Sequence, residues 1–273
     1  ALKRVWIQRI KLSEFRNYST LALDIDHRHV VLTGDNGAGK TNLLEAISFL
    51  SPGRGMRRTP YDRVARTHPG TTPDLIQWAV NCDIESHLGP VKIGTGIQPR
   101  NGTPDLQRRV QINGAPAKTS DMLLDYVRVV WLTPSMDGLF TGAKGDRRRF
   151  LDRLVLAIDP LHGRRVATYE KAMRSRNKLL EDYHASESWL EGIENQLAET
   201  AVAITFARGE LVSHLRSMTE WDDDSAFPAA DVSMNGTLDD MLVEGAAADL
   251  EESFRALLCR SRSRDRAAGR VLD

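Results

Sequence analysis

The sequence predicts an α/β fold, a mixed sheet wrapped on one helix and followed by an α-helical lobe, on three observations. Short alternating or apolar runs fill the first 115 residues, and one of them feeds a glycine-rich turn that opens a helix. From about Asp146 the apolar residues take helical spacing instead. With 273 residues, 41% hydrophobic and 27% charged, the chain suits one large domain or two modest ones and not a disordered polymer.

In chain order, Val5–Ile10 and Leu21–Ile25 read as strands, the second because Leu21, Leu23 and Ile25 alternate with Ala22, Asp24 and Asp26. Val30–Leu32 is a short buried strand. After Lys40 the residues Leu43, Leu44, Ile47 and Leu50 share a helix face, which Pro52-Gly53 ends. Further strands are predicted over 76–84, 91–97 and 108–112, a turn at Asn113-Gly114, a short helix over 119–125 and a strand over Val127–Leu132 stopped by Pro134. Residues 146–184 and 187–219 are predicted as long helices. In the second, Leu190, Leu197, Ile204, Leu211 and Met218 recur every seventh residue, a packing stripe and not a site.

The formal net charge is zero, from 37 basic and 37 acidic side chains, so charge is read locally. Residues 51–70 carry five arginines against Asp62, and 163–178 six basic side chains against Glu170, while an acidic segment from Thr219 to Ser253 cancels them. By charge pattern alone such clusters are solvated faces more often than nucleic-acid sites. Cys82 and Cys259 are far apart and lack metal or disulfide spacing, which indicates a reducing compartment, the cytoplasm. Neither a membrane span nor a signal-peptide core is visible, so no membrane partner is expected.

The strongest chemical signal is Gly34-Asp35-Asn36-Gly37-Ala38-Gly39-Lys40-Thr41, which fits G-x-x-x-x-G-K-[ST]. A glycine turn between strand and helix aims backbone N–H groups and a helix N-terminus at phosphate oxygens. Lys40 supplies a charge for the terminal phosphates and the Thr41 hydroxyl a ligand for Mg²⁺, so residues 34–42, with Asn42 next in line, are the candidate ATP site.

The run Asn36–Ile47, preceded by Leu12-Ser13-Glu14-Phe15-Arg16-Asn17-Tyr18, resembles RecF, a DNA replication and repair family related to the heads of SMC-type ATPases. Similar matches are Gly53-Arg54 to Arg58-Thr59, Thr133-Pro134-Ser135 to Gly142, Arg147–Asp152, Tyr169 with Arg176–Leu180, and Arg264–Arg270. The resemblance implies a P-loop ABC-type ATPase head, a mixed sheet around the P-loop helix, with an inserted α-helical lobe. Residues 1–115 are then lobe I and 116–273 lobe II with a helical hairpin arm, and strands beyond 273 complete the head. It further implies action at single-strand gaps and single-strand/double-strand DNA junctions, recombinase loading, the SOS response, RecO/RecR-type mediator partners, an ATP-dependent homodimer and weak ATPase activity. By the same resemblance Arg16 and Asn17 neighbour the nucleotide. Arg54, Arg57, Arg58 and Arg63, and Arg147, Arg148 and Arg149, are the DNA candidates, able to pair with phosphates without reading sequence.

Two departures from the family pattern stand out. No signature motif or Walker B strand ending in Asp-Glu is found; Leu154–Asp159 has the form of one but continues a helical pattern, and Asp159 precedes Pro160. Without those acids, negligible ATP turnover by these residues alone is expected. Where related ATPases place a metal-contacting glutamine, the chain offers Ser135 or Asp137, or no ligand at all. Two other readings stay open: a non-hydrolysing P-loop nucleotide sensor that binds a partner through its helical arm, and a P-loop kinase or nucleotidyl transferase.

Overall fold

The computed structural model describes residues 4–67, 76–99, 106–182, 186–219, 228–244 and 247–268. The chain divides into two compact units, Ala1–Met136 and Asp137–Asp273. The division falls after residue 136 and not at 115/116, because Leu123 and Val127 are buried in the first unit's core, with Ala117, Tyr126 and Val129 packed against it.

In the first unit, strands β1 (Trp6–Phe15), β2 (Tyr18–Asp24), β3 (Trp78–Ser86), β4 (Gly89–Ile97), β5 (Arg109–Ile112) and β6 (Ala115–Pro116) form one sheet in the order β2-β1-β3-β4-β5-β6. Every pair among the described residues is antiparallel. One face is mostly apolar at alternate positions: Ile10 and Leu12, then Trp78, Val80, Cys82 and Ile84, then Val91, Ile93 and Ile97 are all buried, with Ser86 and Thr95 the polar residues among them. Burial pushes the Cys82 thiol up to about 12, so it stays protonated. Helix α1 (Lys40–Ser48) buries Leu43, Glu45 and Ala46, and Phe49 and Leu50 continue its apolar face. Phe49 packs on Phe15 and Trp78 with ring centroids 6.0 and 4.9 Å away, and Phe15 lies 5.6 Å from Trp78. These rings tie the end of α1 to β1 and β3.

The predicted strands over Val30–Leu32 and Val127–Leu132 have no regular secondary structure and lie outside any ladder. A buried strand needs neighbours on its edges and faces, and here only one face is covered. Leu32, Val127 and Val129 turn to the core, while Val31 and Leu132 are 82% and 80% exposed. The parallel element that a mixed sheet calls for, the run into the glycine turn, is therefore unpaired among the described residues.

The second unit is helical. The pattern over 146–184 is two helices, α2 (Lys144–Leu156) and α3 (His162–Glu181), because Pro160 cannot donate into a continuous helix. Helix α4 (Glu187–Met218) buries Leu190, Leu197, Ile204 and Leu211 of its heptad stripe, and Met218 at its end is exposed. Helices α5 (Thr237–Glu244) and α6 (Ala247–Ala268) have no counterpart in the predicted elements. Ala172, Leu197, Ala198, Ala201, Phe254 and Leu258 make the core between α3, α4 and α6. Gly269 and Arg270 lie outside the described residues.

Arg176, one of the six basic side chains of 163–178, is not on a basic surface: its exposure is 0%. Its guanidinium donates to Glu194 (2.9 Å), Asp265 (2.8 Å), the Leu258 carbonyl (2.7 Å) and Ser261 (3.4 Å), joining α3 to α4 and α6. Elsewhere in the unit, Asp152 accepts from Arg208 and pairs with buried His162. Burial raises the Asp152 carboxyl, but those two partners outweigh it and hold it below the usual range. No helix among the described residues is long and apolar enough to cross a membrane.

Truncating Arg176 removes the guanidinium shared by buried Glu194 and Asp265, while Glu194 keeps Arg262 and Asp265 keeps the Ser261 hydroxyl; breaking a buried pair from one side costs about 3–5 kcal/mol. Arg176→Ala is expected to show that loss in urea unfolding followed by far-UV circular dichroism. A loss below about 1 kcal/mol, the size of a surface pair, would show that the network does not hold these helices together.

Candidate nucleotide-binding site

The glycine turn has the backbone that a phosphate cradle requires. Gly34, Gly37 and Gly39 have φ of 136°, 90° and 107°, in the region that side chains disfavour. Gly39, the residue before α1, is also closed by contact. A Cβ there would lie 2.5 Å from the Tyr18 hydroxyl and 2.8 Å from Asn17 Nδ2. The turn holds its shape through Ala38 N–H donating to the Asp35 carbonyl (3.2 Å), while Leu43 N–H donates to Gly39 (3.0 Å) as the helix begins. Asp35, Asn36, Gly37 and Ala38 remain exposed.

Lys40 folds back into the turn, Nζ donating to the carbonyls of Gly34 (2.5 Å) and Asp35 (2.8 Å). Its charge is thus held where incoming phosphate oxygens would replace those carbonyls. Thr41 is exposed at the first turn of α1, as a hydroxyl that is to reach a phosphate-bound cation must be. The left-handed glycines, the open space at Gly37, where a Cβ would meet nothing within 4 Å, and the Lys40 ammonium fit a nucleotide phosphate chain.

Asn17 and Asn42, both predicted nucleotide neighbours, are joined beside the turn. Asn42 Nδ2 donates to Asn17 Oδ1 (2.7 Å), and Asn17 Nδ2 lies 3.5 Å from the Ala38 carbonyl. Arg16 is near the turn in sequence but engaged elsewhere: it donates through Nε and Nη2 to Glu45, through Nη2 to Thr59 and through Nη1 to the Arg63 carbonyl. Four of its five N–H groups are thereby used.

The predicted DNA arginines separate into kinds. Arg54, Arg57, Arg58 and Arg63 are all exposed, and what separates Arg57 is its bonding. Arg57 donates from Nη1 to Glu45 (2.7 Å) and Asn42 (2.8 Å), so it belongs to the surroundings of the phosphate turn. In the second unit Arg147 bonds back to the Leu139, Phe140 and Gly142 carbonyls, and Arg149 pairs with Asp146 one turn away. Arg148 is exposed. Ser135 shares a hydrogen bond with Thr133 (2.9 Å) in a short helical turn, and Asp137 is exposed at the first residue of the second unit. The run Leu154–Asp159 lies at the end of α2 and just past it, with Asp159 bound to Arg165 and the Leu161 N–H, which suits a helix terminus and not a catalytic strand.

Two charged residues that sequence reasoning did not single out complete the surroundings. Glu45 is 0% exposed and accepts from both Arg16 and Arg57. Arg108 donates to the carbonyls of Phe49, Ser51 and Gly53 and lies over the Phe49 ring, so it caps the end of α1. Burial pulls its pKa down to about 10, and it remains charged at neutral pH. Buried acids on helices and basic residues at strand ends are recognisable only through distant partners.

A sheet packed on the helix that follows a glycine turn with an inward lysine defines the class: a P-loop ATPase head of the ABC type with an attached helical lobe. Residues 6–123 match the family described as RecF/RecN/SMC N terminal domain. The chain is 52% identical over 272 residues to the DNA replication and repair protein RecF of Rhizobium meliloti, covering 99% of this chain and 70% of that one. It is also 52% identical, over 268 residues, to RecF of Mesorhizobium japonicum, covering 98% and 69%. Two solved structures share the fold at 22% identity. The recombination mediator protein RecF-ATPrS in the RecFOR pathway has a TM-score of 0.84 over 99% of this chain and 71% of that one. RecF-ATP of the same pathway has 0.80 over 100% and 71%. The chain belongs to the RecF family of DNA replication and repair proteins.

Lys40→Ala removes charge-assisted bonds worth about 1.5–3 kcal/mol, so fluorescent-ATP titration is expected to show roughly ten- to hundredfold weaker binding with little change in melting. Gly39→Ala is expected to lose binding and stability together, because its Cβ meets Tyr18 and Asn17. Equal affinity in Lys40→Ala would place the nucleotide elsewhere.

Proposed function

We propose that this chain binds ATP through residues 34–42 and acts in DNA repair and replication at single-strand gaps and single-strand/double-strand junctions. There it would support recombinase loading and the SOS response in the cytoplasm. The observation that carries the proposal is the left-handed glycine turn with Lys40 held inside it, in a chain of the RecF family. The names of the related structures, RecF-ATP and a recombination mediator of the RecFOR pathway, support ATP as the nucleotide and RecO/RecR-type mediators as partners. Thr41 would hold Mg²⁺ against the phosphates, with Ser135 or Asp137 as further oxygen candidates; the ion, when bound, neutralises phosphate charge.

DNA contact is assigned first to Arg54, Arg58 and Arg63, which are exposed on the segment after α1, and next to Arg148 with its neighbours Arg147 and Arg149. Phosphate contacts of this kind are tolerant of sequence and sensitive to salt. ATP bound between two copies would join them into a homodimer, as the family resemblance implies. The helical setting of Leu154–Asp159 supports negligible hydrolysis by residues 1–273 alone, a property shared with the sensor reading. Membership of the RecF family favours both over a kinase or nucleotidyl transferase.

Fluorescence anisotropy on gapped duplex across a salt series tests the DNA assignment. Affinity is expected to fall steeply with salt, and Arg58→Ala to reduce the log–log slope by about one if it neutralises one phosphate. An unchanged slope takes Arg58 out of the interface. For hydrolysis, phosphate release by this chain should equal that of Lys40→Ala; multiple turnovers abolished by Lys40→Ala would refute the non-hydrolysing state.

A further inference from the structure

We propose that Glu45 is a positioning residue that locks the arginine-rich segment 53–63 to the phosphate turn, so that nucleotide occupancy is transmitted to that segment. The inference rests on the nucleotide reading above and adds the means by which the site is read out.

Glu45 lies on the buried face of α1, one turn past Thr41, with its carboxylate fully withdrawn from water. A carboxylate in that position must be neutralised and its lone pairs filled. Arg16 alone does both: Nε donates to Oε2 at 2.9 Å and Nη2 to Oε1 at 2.6 Å, the two-pronged geometry of a complete pair. Glu45 nevertheless takes a second guanidinium, Arg57 Nη1 at 2.7 Å on Oε2. Two like charges thus converge on one buried acid, and each leads to a different part of the site.

Arg57 leads to the phosphate turn. The same Nη1 donates to Asn42 Oδ1 at 2.8 Å, Asn42 donates to Asn17 at 2.7 Å, and Asn17 reaches toward the Ala38 carbonyl at 3.5 Å. Arg16 leads to the far end of the arginine-rich segment. It donates to Thr59 (3.0 Å) and to the Arg63 carbonyl (2.8 Å), and its own N–H donates to Val64 (2.9 Å). The near end is held to α1 by Met56 N–H on the Ser48 hydroxyl at 2.8 Å. Among the described residues, Glu45 is thus the junction between a chain of bonds ending at the turn and a set ending at the segment.

The backbone carries the same mark. Arg16 and Arg58 have φ of 53° and 54°, uncommon for a residue with a side chain, and both lie in tight turns beside this network. One begins the Glu45 junction and the other follows Arg57. A nucleotide phosphate in the turn draws Lys40 off the Gly34 and Asp35 carbonyls and brings negative charge close to Asn42 and Arg57. The balance of Arg57 between Glu45 and the turn then shifts, and with it the segment that bears the exposed Arg54, Arg58 and Arg63. Charge at the P-loop is converted into order in the arginine-rich segment through one buried carboxylate.

Hydrogen–deuterium exchange of the full chain tests this, with and without ATP and Mg²⁺, the nucleotide being raised to saturation in each variant and its binding checked by fluorescence titration. In the unaltered chain, ATP is expected to slow amide exchange across 53–63 by about tenfold. Glu45→Gln keeps the side-chain volume and removes the charge, and is expected to lose that ATP-dependent difference. Arg57→Gln, on the more exposed partner, is expected to lose it as well and serves if Glu45→Gln does not fold; the double variant should be no worse than either. A merely structural role would raise exchange in both states and leave the difference between them intact, which would overturn the proposal. So would nucleotide binding in the unaltered chain with no protection of 53–63. If saturating ATP produces no binding signal at all, the nucleotide reading itself fails and this inference falls with it, a result distinct from binding without protection.

Discussion

A carboxylate withdrawn from water is the constraint around which the first unit is arranged. Glu45 sits on the helix that carries the phosphate turn and is wholly buried. The desolvation of an ion costs several kcal/mol unless the protein supplies partners of opposite charge in good geometry. The partners come from two segments remote in sequence, the β1–β2 turn through Arg16 and the segment after α1 through Arg57. Satisfying one acid therefore fixes three stretches of backbone around the glycine turn. The apolar counterpart is the packing of Phe15, Phe49 and Trp78, which sets the far end of α1 on the sheet, with Arg108 capping its carbonyls.

The second unit repeats the principle with the sign reversed. Arg176 is the buried ion, and Glu194 and Asp265 come to it from the helices on either side. Arg262 adds a second guanidinium on Glu194, and its own pKa is raised, chiefly by the hydrogen bond to that acid. The two compact units thus use long-range charge pairing for specificity, over apolar cores that supply the bulk of the driving force. In neither case does the buried charge lie at the phosphate turn itself, where Lys40 is partnered, among the described residues, by the Gly34 and Asp35 carbonyls and remains available to a ligand.

What was legible in the sequence was what is encoded locally. The glycine turn, Lys40 and Thr41 are a contiguous motif, and the alternation of β1 to β5 and the heptad stripe of α4 are periodicities within single elements. Of the expectations that required revision, three show why. Val30–Leu32 and Val127–Leu132 have strand composition, but a strand is defined by its ladder, and none is formed by these segments among the described residues. The helix predicted over 146–184 is broken at Pro160, which its periodicity alone does not register. The basic runs were sorted by charge when the deciding variable was the partner: Arg57, itself exposed, and buried Arg176 look no different in sequence from Arg58 and Arg174, yet they pair with acids buried inside the fold.

The sequence by itself determined that this is a P-loop protein of the RecF type, because a phosphate cradle is built from consecutive backbone groups and needs glycine at fixed steps. The tertiary structure alone decided which charges are structural, which belong to the nucleotide site and which remain exposed. Glu45 meets partners 29 and 12 residues away, and Arg176 meets acids 18 and 89 residues away. Ion pairing depends on distance and burial in space, and neither is a property of a run of residues.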